Sequence, residues 1–169
     1  MRKFLPWIIA GAVVLFGYFY FKGINNTAVT LDQDVKESWG NVQTSYQRRN
    51  DLIGNLVKTV KGAADFEKST LEAVITARSK ATAVTIDPTN ITPEQLAQFN
   101  QAQSGVSSAL SRLLVTVEQY PDLKANQNFL KLQDELASTE NQILTARTRF
   151  NEAVKSYNKH VTIFPNNIF

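Results

Sequence analysis

The chain begins with an unbroken apolar run, FLPWIIAGAVVLFGYFYF at residues 4–21, and then changes to a spacing of threes and fours that persists almost to its other end. Eighteen residues without a charge span about 27 Å as a helix, close to the hydrocarbon thickness of a bilayer. One membrane crossing is therefore predicted over 4–21. Pro6 falls in the first turn, where a missing amide costs nothing, and Trp7, Tyr18 and Tyr20 fall near the ends, where interfacial anchors sit. The run closes on bulky YFYF and a lysine without a small-x-small cleavage pattern, so it reads as an uncleaved anchor and not as a signal peptide.

After a short polar joint at 22–27, apolar residues recur at Leu31, Val35, Trp39, Val42, Tyr46, Ile53, Leu56 and Val60, the spacing of an amphipathic helix. Gly62 and the STLE pattern (Ser69, Glu72) mark a capping-box break near 62–69, and the stripe resumes at Leu71, Val74, Arg78 and Ala81. Because the stripe keeps its phase, 28–84 fits either one helix or two. VTIDPTNI reads as a loop. Thr92 as N-cap, Pro93 at the first helical position and Gln95 closing a capping box then start a third helix through Leu96, Phe99, Val106, Leu110, Leu113 and Val117. It stops at YPDLKAN, since Pro121 disfavours helix at Tyr120. A last helix from about Asn126 to His160 carries Phe129, Leu132, Leu136, Glu140, Ile143, Arg147, Phe150, Val154 and Tyr157 on one stripe. No alternating run of strand length occurs. The expected fold is all-α: a tail at 1–3, an N-terminal transmembrane helix at 4–21, a joint at 22–27 and an antiparallel up-and-down four-helix bundle over 28–169.

Charge changes the picture less than its total implies. The chain carries 18 Lys and Arg against 15 Asp and Glu, but Arg2, Lys3 and Lys22 flank the apolar run, so residues 23–169 are balanced. Without a basic stripe to neutralise phosphates, nucleic acid is not an expected partner. The positive-inside rule, with Arg2, Lys3 and the amino terminus set against Lys22, puts the amino terminus in the cytoplasm and the bundle on the far side of a bacterial inner membrane. The absence of cysteine removes a disulfide framework, a thiolate metal site, a thiol nucleophile and a lipidated cysteine.

Five charges fall on the apolar stripes: Arg49, Glu67, Arg78, Glu140 and Arg147. An unpaired buried ion costs several kcal/mol, so these groups are expected to meet one another or to reach the rim along their stems. One reading makes Glu67 and Glu140 paired carboxylates for acid–base work or ligands of a di-metal centre. The metal version requires Glu-x-x-His on two helices, and the chain has one histidine, His160. The acid–base version lacks a pocket-forming loop or a Gly-rich cradle. The second reading makes the five charges an interhelical network that fixes register, in which Arg147→Ala would cost about 3 kcal/mol or more by stranding a carboxylate. Ser111, Ser138, Thr139 and Ser156 have no histidine at a plausible spacing to act as base, Tyr46, Phe99, Phe129, Phe150 and Tyr157 stand at core spacing, and His160 reads as a helix C-terminal charge partner. No catalytic residue, cofactor, metal or small-molecule substrate is expected.

The same residues carry a family likeness. SWGNVQTSYQRRNDLIGNLVKTVKGAADFEKSTLEAVITARSKA, LLVTVEQYPDLKANQNFLKLQDELASTENQILTAR and RFNEAVKSYNKHVTIFPNNIF together resemble the LemA family of bacterial membrane proteins. Its Arg-x-Asp-Leu-Ile motif falls on Arg49, Asp51, Leu52 and Ile53. Its Glu and Ala-Arg positions fall on Glu67, Ala77 and Arg78, its Tyr-Pro-Asp-Leu turn on Tyr120 to Leu123, and its Glu-Asn-x-Ile and Ala-Arg positions on Glu140, Asn141, Ile143, Ala146 and Arg147. Gly54 stands where the family usually has proline, and relatives often continue past FPNNIF with a hydrophobic tail. The likeness implies a membrane anchor followed by a helical bundle, without an established enzymatic activity. Some relatives are linked to organising internal membranes and others to membrane metalloproteases, so it also implies a scaffold or adaptor. The expected partners are the lipid bilayer and further copies of the chain as a homo-oligomer, with a membrane protease as the alternative.

Overall fold

The computed structural model describes residues 5–63 and 65–168; the tail at 1–3 with Arg2 and Lys3, Phe4 at the head of the apolar run, Ala64 and Phe169 lie outside the described residues. Among those described are five α-helices and no strand: α1 (Leu5–Lys61), α2 (Lys68–Ala83), α3 (Pro93–Val117), α4 (Pro121–Lys124) and α5 (Gln127–Thr162), followed by a 3-10 turn at Asn166–Ile168. They fall into two compact units, one made of residues up to Ser38 together with those from Thr148 onward, the other Trp39–Arg147.

In the first unit the apolar run is uncovered. Trp7, Val14 and Phe16 are 70–78% exposed, and α1 is long and apolar enough here to cross a membrane. The polar stretch 22–27 does not interrupt α1, contrary to the joint that the sequence predicts. It contains no proline, and a single glycine costs a helix only about 1 kcal/mol. The Thr27 and Thr30 hydroxyls donate back to the Gly23 and Asn26 carbonyls at 3.0 Å, so these side chains are satisfied on the helix itself. Towards its end α5 meets this stretch: His160 Nε2 donates to the Ile24 carbonyl at 3.0 Å.

The second unit has one apolar core. It takes Ile53, Leu56 and Val60 from α1, Leu71 and Val74 from α2, Val106, Leu113 and Val117 from α3, Leu123 from α4, and Phe129 and Leu136 from α5. Apart from Leu123, these are positions that the three-four spacing selects, and each buried aliphatic side chain contributes about 1.5–3 kcal/mol.

Residues 28–84 are two helices. α1 ends at Lys61, and Asp65 takes a φ of 70°, a left-handed conformation that short polar side chains tolerate better than most. The Tyr120 hydroxyl donates to the Asp65 carbonyl at 3.1 Å and its ring lies 4.9 Å from that of Phe66, which ties this turn to the one after α3. The cap of α2 is Glu67 and not Ser69, which lies inside the helix. The loop at 84–92 is folded on Ile86, which is buried and whose carbonyl accepts from Gln43 Nε2 at 3.1 Å. The expected capping box of Thr92 and Gln95 starts α3, with Pro93 in its first turn. Pro121 ends that helix region as expected, but the next residues form the single turn α4, which drops Leu123 into the core before Asn126 Oδ1 accepts from the Asn128 and Phe129 amides at the start of α5.

Candidate functional site

Arg49 is the organising group of the second unit. It sits on the buried face of α1 at 2% exposure, one turn from Tyr46 and one from Ile53. Its guanidinium reaches two other helices. Nη1 donates to Ser107 Oγ and to Glu140 Oε1, both at 3.0 Å, and Nη2 donates to the Gln103 carbonyl at 3.2 Å and to Gln103 Oε1. The Tyr46 ring lies beneath it, 4.9 Å from the guanidinium carbon, a cation–π arrangement. Tyr46 is held in turn by Phe99, edge to face at 5.0 Å, and Phe99 meets Trp39 in the same way at 5.2 Å. Only Nε of the guanidinium is buried without a hydrogen-bond partner among the described residues.

Tyr46, Arg49, Gln103, Ser107 and Glu140 line a cavity of about 420 Å³ together with Ser104 and Arg147. Glu140 is the one carboxylate on its wall, half-exposed at its side chain and committed to Arg49. No imidazole, lysine or second carboxylate lines it. Among the described residues no three His, Cys, Asp or Glu side chains converge to hold a metal. The chemistry available is charge-assisted hydrogen bonding that connects α1, α3 and α5, which positions helices and offers no proton-transfer pair.

The structure brings Arg49 and Glu140 together and places the other three charges differently. Arg147 lies on the exposed rim of the same cavity, and no carboxylate among the described residues stands within ion-pair distance of it. Arg78 is half-buried between α2 and α1, where its Nε donates to the Asn50 carbonyl at 2.7 Å. Its guanidinium rests against Gly54, where an added Cβ would stand 3.2 Å from Nη2. Glu67 is exposed at the start of α2, outside the cavity. It accepts from the Ser69 hydroxyl at 2.6 Å and the Thr70 hydroxyl at 3.1 Å.

Two shifts explain the difference. Between Leu136 and Arg147 on α5 the buried positions are Leu136, Thr139, Ile143 and Ala146, while Glu140 and Arg147 stand one residue further on at the flank. Both spacings alternate three and four residues; the one with small Thr139 and Ala146 is buried because it leaves the charges in water. On α2 the left-handed turn at Asp65 makes Glu67 the cap. The sequence reading also missed Gln103 and Ser107. Gln103 had a signal, four residues after Phe99 and three before Val106 on the apolar stripe, and it is 4% exposed.

The Ser69 hydroxyl and then the Thr70 hydroxyl lower the Glu67 carboxyl from its ordinary value, against a smaller opposing effect of desolvation, and the Arg112 charge adds a still smaller lowering. A depressed value in the folded state means that this carboxylate supports the start of α2 fully above the unfolded carboxylate range and loses that support as pH falls through the folded value. Carbon-detected NMR titration is expected to place the Glu67 midpoint below the ordinary glutamate value, and Ser69→Ala with Thr70→Ala to move it upward. An unmoved Glu67 midpoint in that double variant would show that the hydroxyls are not the cause.

The family model described as LemA family matches residues 38–169. "Magnetosome protein MamQ 2" of Paramagnetospirillum magneticum is 30% identical over 157 residues, 83% of this chain and 58% of that protein. "Protein LemA" of Metamycoplasma hominis is 26% identical over 147 residues, 87% of this chain and 64% of the relative. "Magnetosome protein MamQ" of Magnetospirillum gryphiswaldense is 28% identical over 157 residues, again 83% and 58%. The chain thus spans about three-fifths of the length of these curated relatives. With the match running from just before Trp39 through Arg49, Gln103 and Glu140 and on past His160, the chain belongs to the LemA family.

Proposed function

We propose that this chain is a non-enzymatic, single-pass membrane protein whose helical domain acts as a self-associating scaffold. The observation that carries the reading is the uncovered apolar run of α1, Trp7 to Phe21, which no other part of the described chain buries. An antiparallel up-and-down four-helix bundle is the arrangement we assign to the domain, supported by the core that α1, α2, α3 and α5 share in the second unit. The Arg49–Glu140 pair then works as a register pin. The amino terminus lies in the cytoplasm and the domain outside it, on the charge bias around the span. That relatives are named for the magnetosome, and not for a reaction, fits a protein that works by assembly.

Anchoring supplies the mechanism. Identical spans confine the domains to two dimensions and raise their effective concentration, so weak side-to-side contacts suffice. Crosslinking of the tagged full chain in native membranes, followed by mass spectrometry, is expected to give a ladder of self-adducts. A chain that stays monomeric in detergent at all concentrations, and uncrosslinked to itself in membranes, would refute the scaffold. Stoichiometric recovery of one foreign membrane protease would instead make it an adaptor or regulator of that enzyme.

A further inference from the structure

We propose that the segment Ile163–Ile168 is a second membrane contact, an apolar foot that lies in the lipid headgroup layer beside the emerging span; this rests on the single-pass reading of α1. The foot is held at a definite height on α1. His160 Nε2 donates to the Ile24 carbonyl at 3.0 Å, and Asn166 Nδ2 donates to the His160 carbonyl at 2.9 Å, so the chain folds back after α5. Phe21, Ile24 and Ala28 of α1 and Asn166 and Asn167 of the foot line one cavity of about 270 Å³. Ile24 stands three residues beyond Phe21, about 4.5 Å along the helix axis, whereas the headgroup layer on each side of a bilayer is roughly 5–7 Å deep. The contact therefore sits inside that layer.

At this height the foot leaves its apolar side chains bare. Phe164 is 75% exposed, Ile168 65% and Ile163 46%, while the polar Asn166 turns inward to His160. This arrangement inverts the usual preference for water and suits a lipid surface. Lys159 in the last turn of α5 and Lys22 at the end of the span add cations of the sign that anionic headgroups attract. Continuity with the span and the height of the contact both select lipid as the occupant over a second protein.

Because the chain has no cysteine, single labelling sites are available without other changes. Four full-chain variants, Val13→Cys, Phe164→Cys, Ile168→Cys and Gln101→Cys, would each carry a nitroxide and be reconstituted in vesicles of phosphatidylethanolamine and phosphatidylglycerol. Spin-label collision with oxygen, which favours lipid, is compared with collision with a nickel chelate, which favours water. The expected result is an oxygen-to-nickel ratio several-fold higher at Val13 and at one or both of Phe164 and Ile168 than at Gln101 on α3. The two foot positions guard against loss of contact through removal of either side chain. Lipid access at Val13 with water access at both foot positions would overturn the foot and leave the span standing. Shielding of the foot labels from both reagents would overturn it in favour of a protein contact. Water access at Val13 would remove the span, and the foot with it.

Discussion

Arg49→Ala is expected to lower the unfolding free energy by about 4 kcal/mol, Glu140→Ala by about 2 kcal/mol and Arg147→Ala by less than about 1 kcal/mol. The ranking follows from burial and not from formal charge. Removing Arg49 empties a site with 2% exposure and leaves buried Gln103 without its donor. Removing Glu140 leaves the guanidinium with Gln103 and Ser107 as acceptors but without a counter-charge, and the half-exposed carboxylate had been partly screened by water. Arg147, on the rim and unpaired with any described carboxylate, has little to lose, which reverses the cost that its place on the stripe predicts. Guanidinium unfolding of the detergent-solubilised chain, followed by circular dichroism, measures all three. The Arg49→Ala/Glu140→Ala double variant is expected to cost scarcely more than Arg49→Ala alone. Equal losses for Arg49→Ala and Arg147→Ala would refute the ranking.

Phe99→Ala is expected to cost a similar amount, about 4 kcal/mol. Phe99 is 6% exposed and stands edge to face with both Trp39 and Tyr46, so its removal opens a cavity and ends two aromatic contacts together. Phe99→Leu retains most of the volume and should cost about 1.5 kcal/mol. Since Tyr46 also lies under the Arg49 guanidinium, Phe99→Ala and Arg49→Ala should be non-additive by more than about 0.5 kcal/mol. Trp39 fluorescence offers a second readout, with emission moving to longer wavelength as water enters beside the indole. Additive losses with unchanged Trp39 emission would show that the aromatic trio does not support the charge cluster.

Much of this fold can be read from residue spacing. Ile53, Leu56, Val60, Val74 and Leu113 all stand on the predicted stripes, and all are fully buried. Thr92, Pro93 and Gln95 start α3 where the capping pattern lies, because that signal is local and complete within four residues. Features that depend on partners are less legible. The left-handed Asp65 is stabilised by Tyr120, 55 residues away, so the turn that moves the cap from Ser69 to Glu67 has no local signature. α4 is a single turn, too short for periodicity to show. On α5 two interleaved spacings share Leu136 and Ile143, and only the packed helices decide for Thr139 and Ala146 over Glu140 and Arg147. Of the candidate site, the sequence therefore identifies Arg49 and Glu140 among five stripe charges, but neither their pairing nor its geometry. It overlooks Gln103, whose two acceptors become apparent only when α3 is set against α1.

Gln103 also gives the cluster a polarity that mutation cannot freely reverse. Nη2 of Arg49 rests on a peptide carbonyl, which is present whatever side chain occupies position 103 and can only accept. Exchanging the charges, Arg49→Glu with Glu140→Arg, preserves the ion pair on paper but turns a carboxylate towards that buried carbonyl. The two partners are consequently not interchangeable. In this chain the cation belongs on α1 and the anion on α5, because one of the four acceptors is the backbone itself and no substitution removes it.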